Sequence, residues 1–492
     1  MSKKPLLRGA SSDAVLLMAV KMVTMVLGLA TTRLLSEYLS VYDYGTYSQI
    51  LLIVSVVSSA TILGMMDGVN YFYHSARDAK ERENNVSVMF TLQTVIGTAS
   101  GCLVMVLSAP LCLYFENPMI RGLLIFAAAL PVLQNLIQML QVLLISVGKA
   151  SVLAIRNFLV SVIRLAVVLV VAFSVRNVMV VLLSTVILDL AQIVFFWLML
   201  RKRGCKIGFR KVSWVTAKQI LRYCAPMAVF TMISAMTRDV DKYLVALWTD
   251  TQTLAMYSNA SKLLPFDIVV TSFTTVLLPQ ISKSVAAGEK ERATQLYRLF
   301  LEIAYISTAV LCCAALSASP QLMKLLYSNK YLDGLDIFCI YIVVDMFRFT
   351  NITMVLSAAG RTGLLMVFSV GTVVMNLLLN ILLYHFMGLE GLALATLITT
   401  LALGICILVS GAKELRCGFR NLFDGKFLLL FILENAVLTV ALYKAQQWLD
   451  ALDVHYVLIL MIICGVYGLT MLALNGRRLL RSLKQVNEKT ES

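Results

Sequence analysis

Long apolar runs, separated by short clusters of charged and turn-forming residues, follow one another from Ala14 to Leu474. Many are close to the ~20 residues that an α-helix needs to cross ~30 Å of hydrocarbon. They predict helices over roughly 14–35, 46–70, 87–113, 120–146, 152–174, 178–200, 220–248, 254–279, 296–317, 334–358, 363–385, 389–411, 427–446 and 455–475. Helices are the expected element because lipid offers no partner for a free N–H or C=O, and a helix bonds its own. The expected fold class is an all-α polytopic membrane protein with about 14 transmembrane helices.

Composition strengthens this. Of 492 residues, 60% are hydrophobic and 14% charged, and the mean hydropathy is +0.85. A soluble domain could not bury that much apolar surface, because much of its exterior must face water. The ten cysteines lie mostly in apolar runs with no CxxC, and Cys312 and Cys313 adjoin in mid-span, so neither a disulfide framework nor a zinc site is indicated. His74, His385 and His455 are too dispersed for a metal cluster. Lys3, Lys4 and Arg8 precede an apolar stretch like a signal peptide's core. It lacks a small-residue cleavage site and more spans follow, so it reads as an uncleaved first helix.

Charge then fixes an orientation. With the N-terminus inside, the inside segments hold about 30 of the 42 Lys and Arg, and the outside loops about five. Arg77, Lys80 and Arg82 lie in the second loop, and Lys283, Lys290, Arg292 and Arg298 in the eighth. The sixth loop, from Arg201 to Arg222, holds eight more. Positive charge is retained on the cytoplasmic side during insertion, which predicts both termini in the cytoplasm. The same basic face accounts for the net charge of +15 without any nucleic-acid partner. No outside loop exceeds about a dozen residues, so chemistry must lie between helices.

Two short similarities suggest an internal repeat. GTYSQIL from Gly45 pairs with AMYSNASKL from Ala255, and SVGKASVL from Ser146 with SAAGRTGLL from Ser357. Tyr47-Ser48 and Tyr257-Ser258 open even-numbered spans, and Gly148-Lys149 and Gly360-Arg361 occupy equivalent turns. A six-plus-six duplication follows, its halves related by a pseudo-two-fold along the membrane normal, with a substrate path between them. The expected division is a first half over 1–212, a second over 213–412, and a remainder over 413–492. That remainder holds an amphipathic linker with Lys413, Arg416, Arg420 and Lys426, the last two helices and a basic tail.

Ionisable groups inside the apolar runs are costly, by about 2.5–3.5 kcal/mol each, and normally face a partner or a cavity. They are Lys21 and Arg33 on the first span; Arg164 on the fifth; Arg238, Asp239, Asp241 and Lys242 on the seventh; Lys262 and Asp267 on the eighth; and Asp345 and Arg348 on the tenth. Arg238 and Asp241, Asp239 and Lys242, and Asp345 and Arg348 are spaced to pair within a helix. Arg33 and Lys242 can instead snorkel to the outer interface. Lys21 and Arg164 have no carboxylate within four residues, which points them at a cavity. Cations there attract an anionic group, and phosphate suits them through charge-assisted hydrogen bonds. Pro226, Pro265 and Pro279 are expected to bend the seventh and eighth helices. Asn376 and Asn380 read as interhelical hydrogen-bonding residues and the methionines as core.

The stretches TRLLSEYLSVYDYGTYSQI, APMAVFTMISAMTRDVDKYLVAL with AMYSNASKL, VLLPQIS, AAGRTG, NLLLNILL and GLEGLALATL together resemble the polysaccharide transporter family. That family, with the O-antigen and capsule-repeat flippases, belongs to the multidrug/oligosaccharidyl-lipid/polysaccharide exporter superfamily. The resemblance covers about residues 10–415. It implies a carrier in the bacterial cytoplasmic (inner) membrane that moves an undecaprenyl-diphosphate-linked oligosaccharide to the outer leaflet by alternating access. By position, Lys21, Arg33, Arg164, Arg238 and Lys242 would line the family's cationic cleft. Arg33, Tyr38 and Gly45 keep its first-turn pattern, and Gly360 and Arg361 its turn after the tenth helix. No cofactor is implied beyond a coupling ion, sodium or proton, held by Asp239, Asp241, Asp267 or Asp345. Partners would be the diphosphate glycolipid, membrane lipids and other polysaccharide-assembly proteins.

Three alternatives stay open: a lipid II flippase, a drug/cation antiporter of the same superfamily, and a membrane enzyme of polysaccharide assembly. The basic excess disfavours the antiporter. The short outside loops, and His385 without a nearby acid, disfavour the enzymes, so a non-enzyme is expected.

Overall fold

Apolar runs of this length fold as helices wherever they can, and no strand occurs among the described residues. The computed structural model describes residues 6–74, 76–147, 150–175, 177–202, 207–209 and 214–491. Side chains before Val20, at Lys21 and across most of 226–238 lie outside the described set. Nine helical segments among the described residues are long and apolar enough to cross a bilayer, and they coincide with the third, fourth, sixth and ninth to fourteenth predicted spans. The chain divides into two compact units, Met1–Met256 and Tyr257–Ser492.

The first unit holds α1 (Leu6–Tyr38), α2 (Val41–Thr61), α3 (Met65–His74), α4 (Ala79–Val106), α5 (Ser108–Tyr114), α6 (Met119–Ala127), α7 (Leu130–Ser146), α8 (Ala150–Ser174), α9 (Val178–Lys202), α10 (Trp214–Trp248) and the start of α11 (Thr251–Ala260). α1 lies along α8, α7 packs on α4 and α9, and α10 packs on α2, α3 and α4. Met89, Met139, Leu143, Phe196 and Cys224 are all buried in its core. Ser40 opens α2 by accepting the N–H of Asp43 at 3.0 Å, and Asp78 opens α4 through Glu81 at 2.6 Å. Both serve donors that a helix start leaves unpaired.

One buried polar knot ties α2 to its neighbours. The Asn117 amide donates to Thr46 Oγ1 and Gln49 Oε1, both at 2.8 Å. Tyr42 donates to Asn117 at 2.9 Å, and Gln49 to Thr251 at 3.0 Å. Gly45 makes the knot possible, since a Cβ there would stand 2.2 Å from the Thr251 carbonyl oxygen. Gly45→Val is therefore expected to cost about 1–3 kcal/mol by overpacking. A lower melting temperature in detergent checks this, with Gly28→Val, in open space, as the neutral control.

The second unit holds the rest of α11, α12 (Ile268–Ala286), α13 (Lys290–Ser317), α14 (Ser319–Tyr327), α15 (Leu335–Phe347), α16 (Met354–Ala358), α17 (Thr362–Met387), α18 (Leu389–Glu414), α19 (Gly425–Ala451) and α20 (Tyr456–Glu491). α13 is its axis, touching α12, α15, α19 and α20, with Tyr297, Phe300, Tyr305, Phe431 and Tyr467 buried about it. α17 pairs with α18 across Gly388, whose φ of 60° is a left-handed turn that glycine permits.

Several spans expected as single helices are broken. The second turns left-handed at Leu63 and Gly64, between α2 and α3. In the eighth, Lys262 leaves the helix and Asp267 sits in a 3₁₀ turn, Pro265–Asp267. Proline lacks an N–H and drives the residue before it to extended backbone, as at Leu264 with ψ 158°. Pro226 and Pro279, by contrast, lie within continuous α10 and α12. The tenth is interrupted at Arg348–Asn351, where Thr350 presses on Gly404 of α18, a Cβ there standing 2.0 Å from Oγ1.

Asp424, ahead of α19, accepts the N–H of Phe427 at 3.3 Å and pairs with Arg478 at 2.9 Å. The Arg478 hydrogen bond, reinforced by the backbone bond, holds its carboxyl below the usual carboxylate range. A depressed folded pKa contributes stability above the unfolded value, near 4, that is lost as pH falls through the lower folded one. Wild type should thus lose melting temperature below about pH 4 more steeply than Asp424→Asn, as a pH series of melts would show.

Candidate functional site

In the first unit, Arg164 of α8 stands between α1, α2 and α9. It borders a cavity of about 20 Å³ with Thr31, Tyr47, Ser184 and Thr185. Its guanidinium is exposed and forms no ion pair among the described residues. Tyr47, Arg156 and Asp189 lie within its electrostatic reach. Thr31, Ser184 and Thr185 donate their hydroxyl protons to backbone carbonyls of their own helices, at 2.8, 2.8 and 2.9 Å, so the guanidinium supplies the positive charge and N–H donors that an anionic oxygen requires.

The other predicted cations are committed or undescribed. Arg33 pairs with Glu37 at 2.5 Å, half-buried on α1. Lys242 pairs with Asp239 at 2.8 Å on α10, and its backbone N–H donates to buried Asp241 at 2.9 Å. The side chains of Lys21 and Arg238 lie outside the described set. Of the turn residues, Tyr38 rests on Phe173 with ring centroids 5.1 Å apart. Gly360, with φ 70°, closes α16, and Arg361 pairs with Glu414 at 3.0 Å.

In the second unit the carboxylates converge on one arginine. Asp345, 3% exposed, accepts Arg348 at 2.9 Å and the backbone N–H of Leu264 at 2.7 Å. Asp267 approaches the same guanidinium at 3.5 Å. Asp345 therefore ties α15 to the break between α11 and α12, where Pro265 has freed the backbone. Asn376 donates to Thr399 of α18 at 3.2 Å, and Asn380 to Asn376 at 3.0 Å. Among the described residues no group of three or more His, Cys, Asp or Glu could hold a metal ion.

Two clusters escape the sequence reading. Arg156, buried on α8, donates to Asn157 at 2.6 Å and to Gln192, and lies over the Phe196 ring at 4.8 Å. Gln192 in turn donates to buried Asp189 at 2.8 Å. Arg156 and Asp189 sit in apolar runs, so their cost in lipid was a usable signal. Arg478 bonds Glu302 at 2.6 Å as well as Asp424. It follows the apolar part of the last span and reads from sequence as part of a basic tail.

A family model described as "Polysaccharide biosynthesis protein" matches residues 32–336. A "Probable lipid II flippase MurJ" of Rhizobium meliloti (strain 1021) is 21% identical over 269 residues, 53% of this chain and 50% of that protein. The alignment thus spans about half the length of that relative. Among solved structures, a lipid II flippase MurJ in an inward closed conformation superposes with a TM-score of 0.74 at 15% identity, covering 93% of this chain and 99% of the other. An inward-facing multidrug resistance MATE family transporter of the MOP superfamily follows at 0.67 and 14%, covering 82% and 98%. These likenesses establish a polytopic, all-helical transporter fold.

Proposed function

The chain belongs to the polysaccharide biosynthesis protein family, and from that premise we propose that it flips an undecaprenyl-diphosphate-linked oligosaccharide from the cytoplasmic to the outer leaflet. Arg164 carries the reading: an exposed cation beside Tyr47, with no ion pair among the described residues, suits a phosphate oxygen. The polyprenyl tail stays in the bilayer while the diphosphate and sugars cross beside polar side chains. Lys21, ten residues before Thr31 on α1, is proposed as a second cation along the same path. Alternating access moves the cargo, and both termini face the cytoplasm.

Thermal shift on the purified protein in detergent tests this. A ligand that binds the folded state raises the melting point by mass action. The diphosphate oligosaccharide should stabilise the wild type, and Arg164→Ala should abolish that shift. Equal stabilisation of both proteins, or stabilisation by a lipophilic cationic drug alone, would overturn the reading. Lipid II is the second reading, favoured by the name of the Rhizobium relative. It holds if lipid II stabilises and the oligosaccharide does not.

A further inference from the structure

Between α13 and α20 of the second unit runs one groove with two chemistries. Its polar end, about 610 Å³, is lined by Arg298 and Glu302 of α13, Arg477, Arg478 and Arg481 of α20, and Asp424. Four arginines against two carboxylates leave two positive charges. The apolar end, about 240 Å³, is lined by Ile306 and Val310 of α13 and by Gly468, Met471 and Leu472 of α20. The two cavities share Asn475, so charged walls pass directly into hydrocarbon walls along the same pair of helices.

The arginines are not equivalent. Arg478 is held by Glu302 at 2.6 Å and Asp424 at 2.9 Å, and its guanidinium lies 3.6 Å from the Phe427 ring centroid. It is the neutralised floor of the pocket. Arg298, Arg477 and Arg481 are exposed and enter no ion pair or hydrogen bond among the described residues. Guanidinium groups match the paired oxygens of a phosphate. A water-soluble phosphate would use only the polar end. The adjoining apolar groove calls for an acyl chain on the same molecule.

We propose that this groove holds an anionic glycerophospholipid of the bilayer, its phosphate on Arg298, Arg477 and Arg481 and one acyl chain along Ile306, Val310, Gly468 and Met471. The site stands whether or not the flippase reading does. Arg298 lies in the N-terminal part of α13 and Arg477 and Arg481 in the C-terminal part of α20, and anionic headgroups concentrate against basic segments that flank an apolar span.

The test places the full-length protein in phosphatidylcholine nanodiscs and adds phosphatidylglycerol, glycerol 3-phosphate or inorganic phosphate, reading melting temperature and lipid retention by native mass spectrometry. Phosphatidylglycerol should stabilise the protein and stay bound. Arg298→Gln with Arg481→Gln should weaken its retention by roughly tenfold to thirtyfold, while melting in phosphatidylcholine alone is unchanged. Val310→Trp, which fills the apolar end and spares every arginine, should reduce retention too, and decides the matter should the double variant fold poorly. Retention unaffected by these substitutions would overturn the proposal. So would stabilisation by glycerol 3-phosphate or inorganic phosphate as large as that by the lipid.

Discussion

Asp345→Leu should destabilise the protein by about 3 kcal/mol, the scale of breaking a largely buried charge pair. Asp345 answers two donors at once, the Arg348 guanidinium and the Leu264 N–H. Leucine leaves the N–H without an acceptor and leaves Arg348 with Asp267 alone, 3.5 Å away. An unmet buried donor costs about 1–3 kcal/mol, more when charged. Asp345→Asn, which keeps an acceptor of the same shape, should lose less. Arg348→Met added to Asp345→Leu should recover part of the loss, because the orphaned charge goes with it. Melting curves of the wild type, these three variants and Arg348→Met alone, in one detergent, measure this. Additive losses in the double variant would show that the pair does not act as a unit.

Arg164→Ala is expected to slow glycolipid flipping by roughly ten- to a hundredfold, since a hydrogen bond to a charged group contributes about 1.5–3 kcal/mol. Arg164→Lys should keep part of the rate, as a point charge replaces a planar fork. Arg33→Ala serves as the contrast. Its guanidinium is already committed to the half-exposed Glu37, and such a pair contributes about 0–1 kcal/mol. Rates from reconstituted vesicles separate the two, and equal losses at Arg33 and Arg164 would remove the special role given to Arg164.

Nine of the expected spans were legible, among the described residues, because a bilayer imposes length and polarity on each helix separately. Asp239 with Lys242 and Asp345 with Arg348 were legible for a similar reason, since a three-residue spacing pairs them on one helix. What depends on distant partners was not. Asp267 meets Arg348 across more than eighty residues, because Pro265 breaks the eighth span where α15 approaches. The interruption at Arg348–Asn351 reflects Gly404 on another helix, and nothing in RFTN itself announces it. Gly45 resembles part of a family turn pattern, but what the structure shows at it is the Thr251 carbonyl packed against it. Arg156 with Asp189 shows a signal overlooked, for both are ionisable groups in lipid-length apolar runs.

Movement of a diphosphate-linked oligosaccharide across a bilayer is the activity proposed for this chain. Its most direct test is a flipping assay with the purified protein in liposomes, following a labelled undecaprenyl-diphosphate oligosaccharide from one leaflet to the other. The expected result is saturable, protein-dependent movement that falls at least about tenfold in Arg164→Ala. Movement no faster than in empty liposomes, or transport of a drug cation in its place, would contradict it.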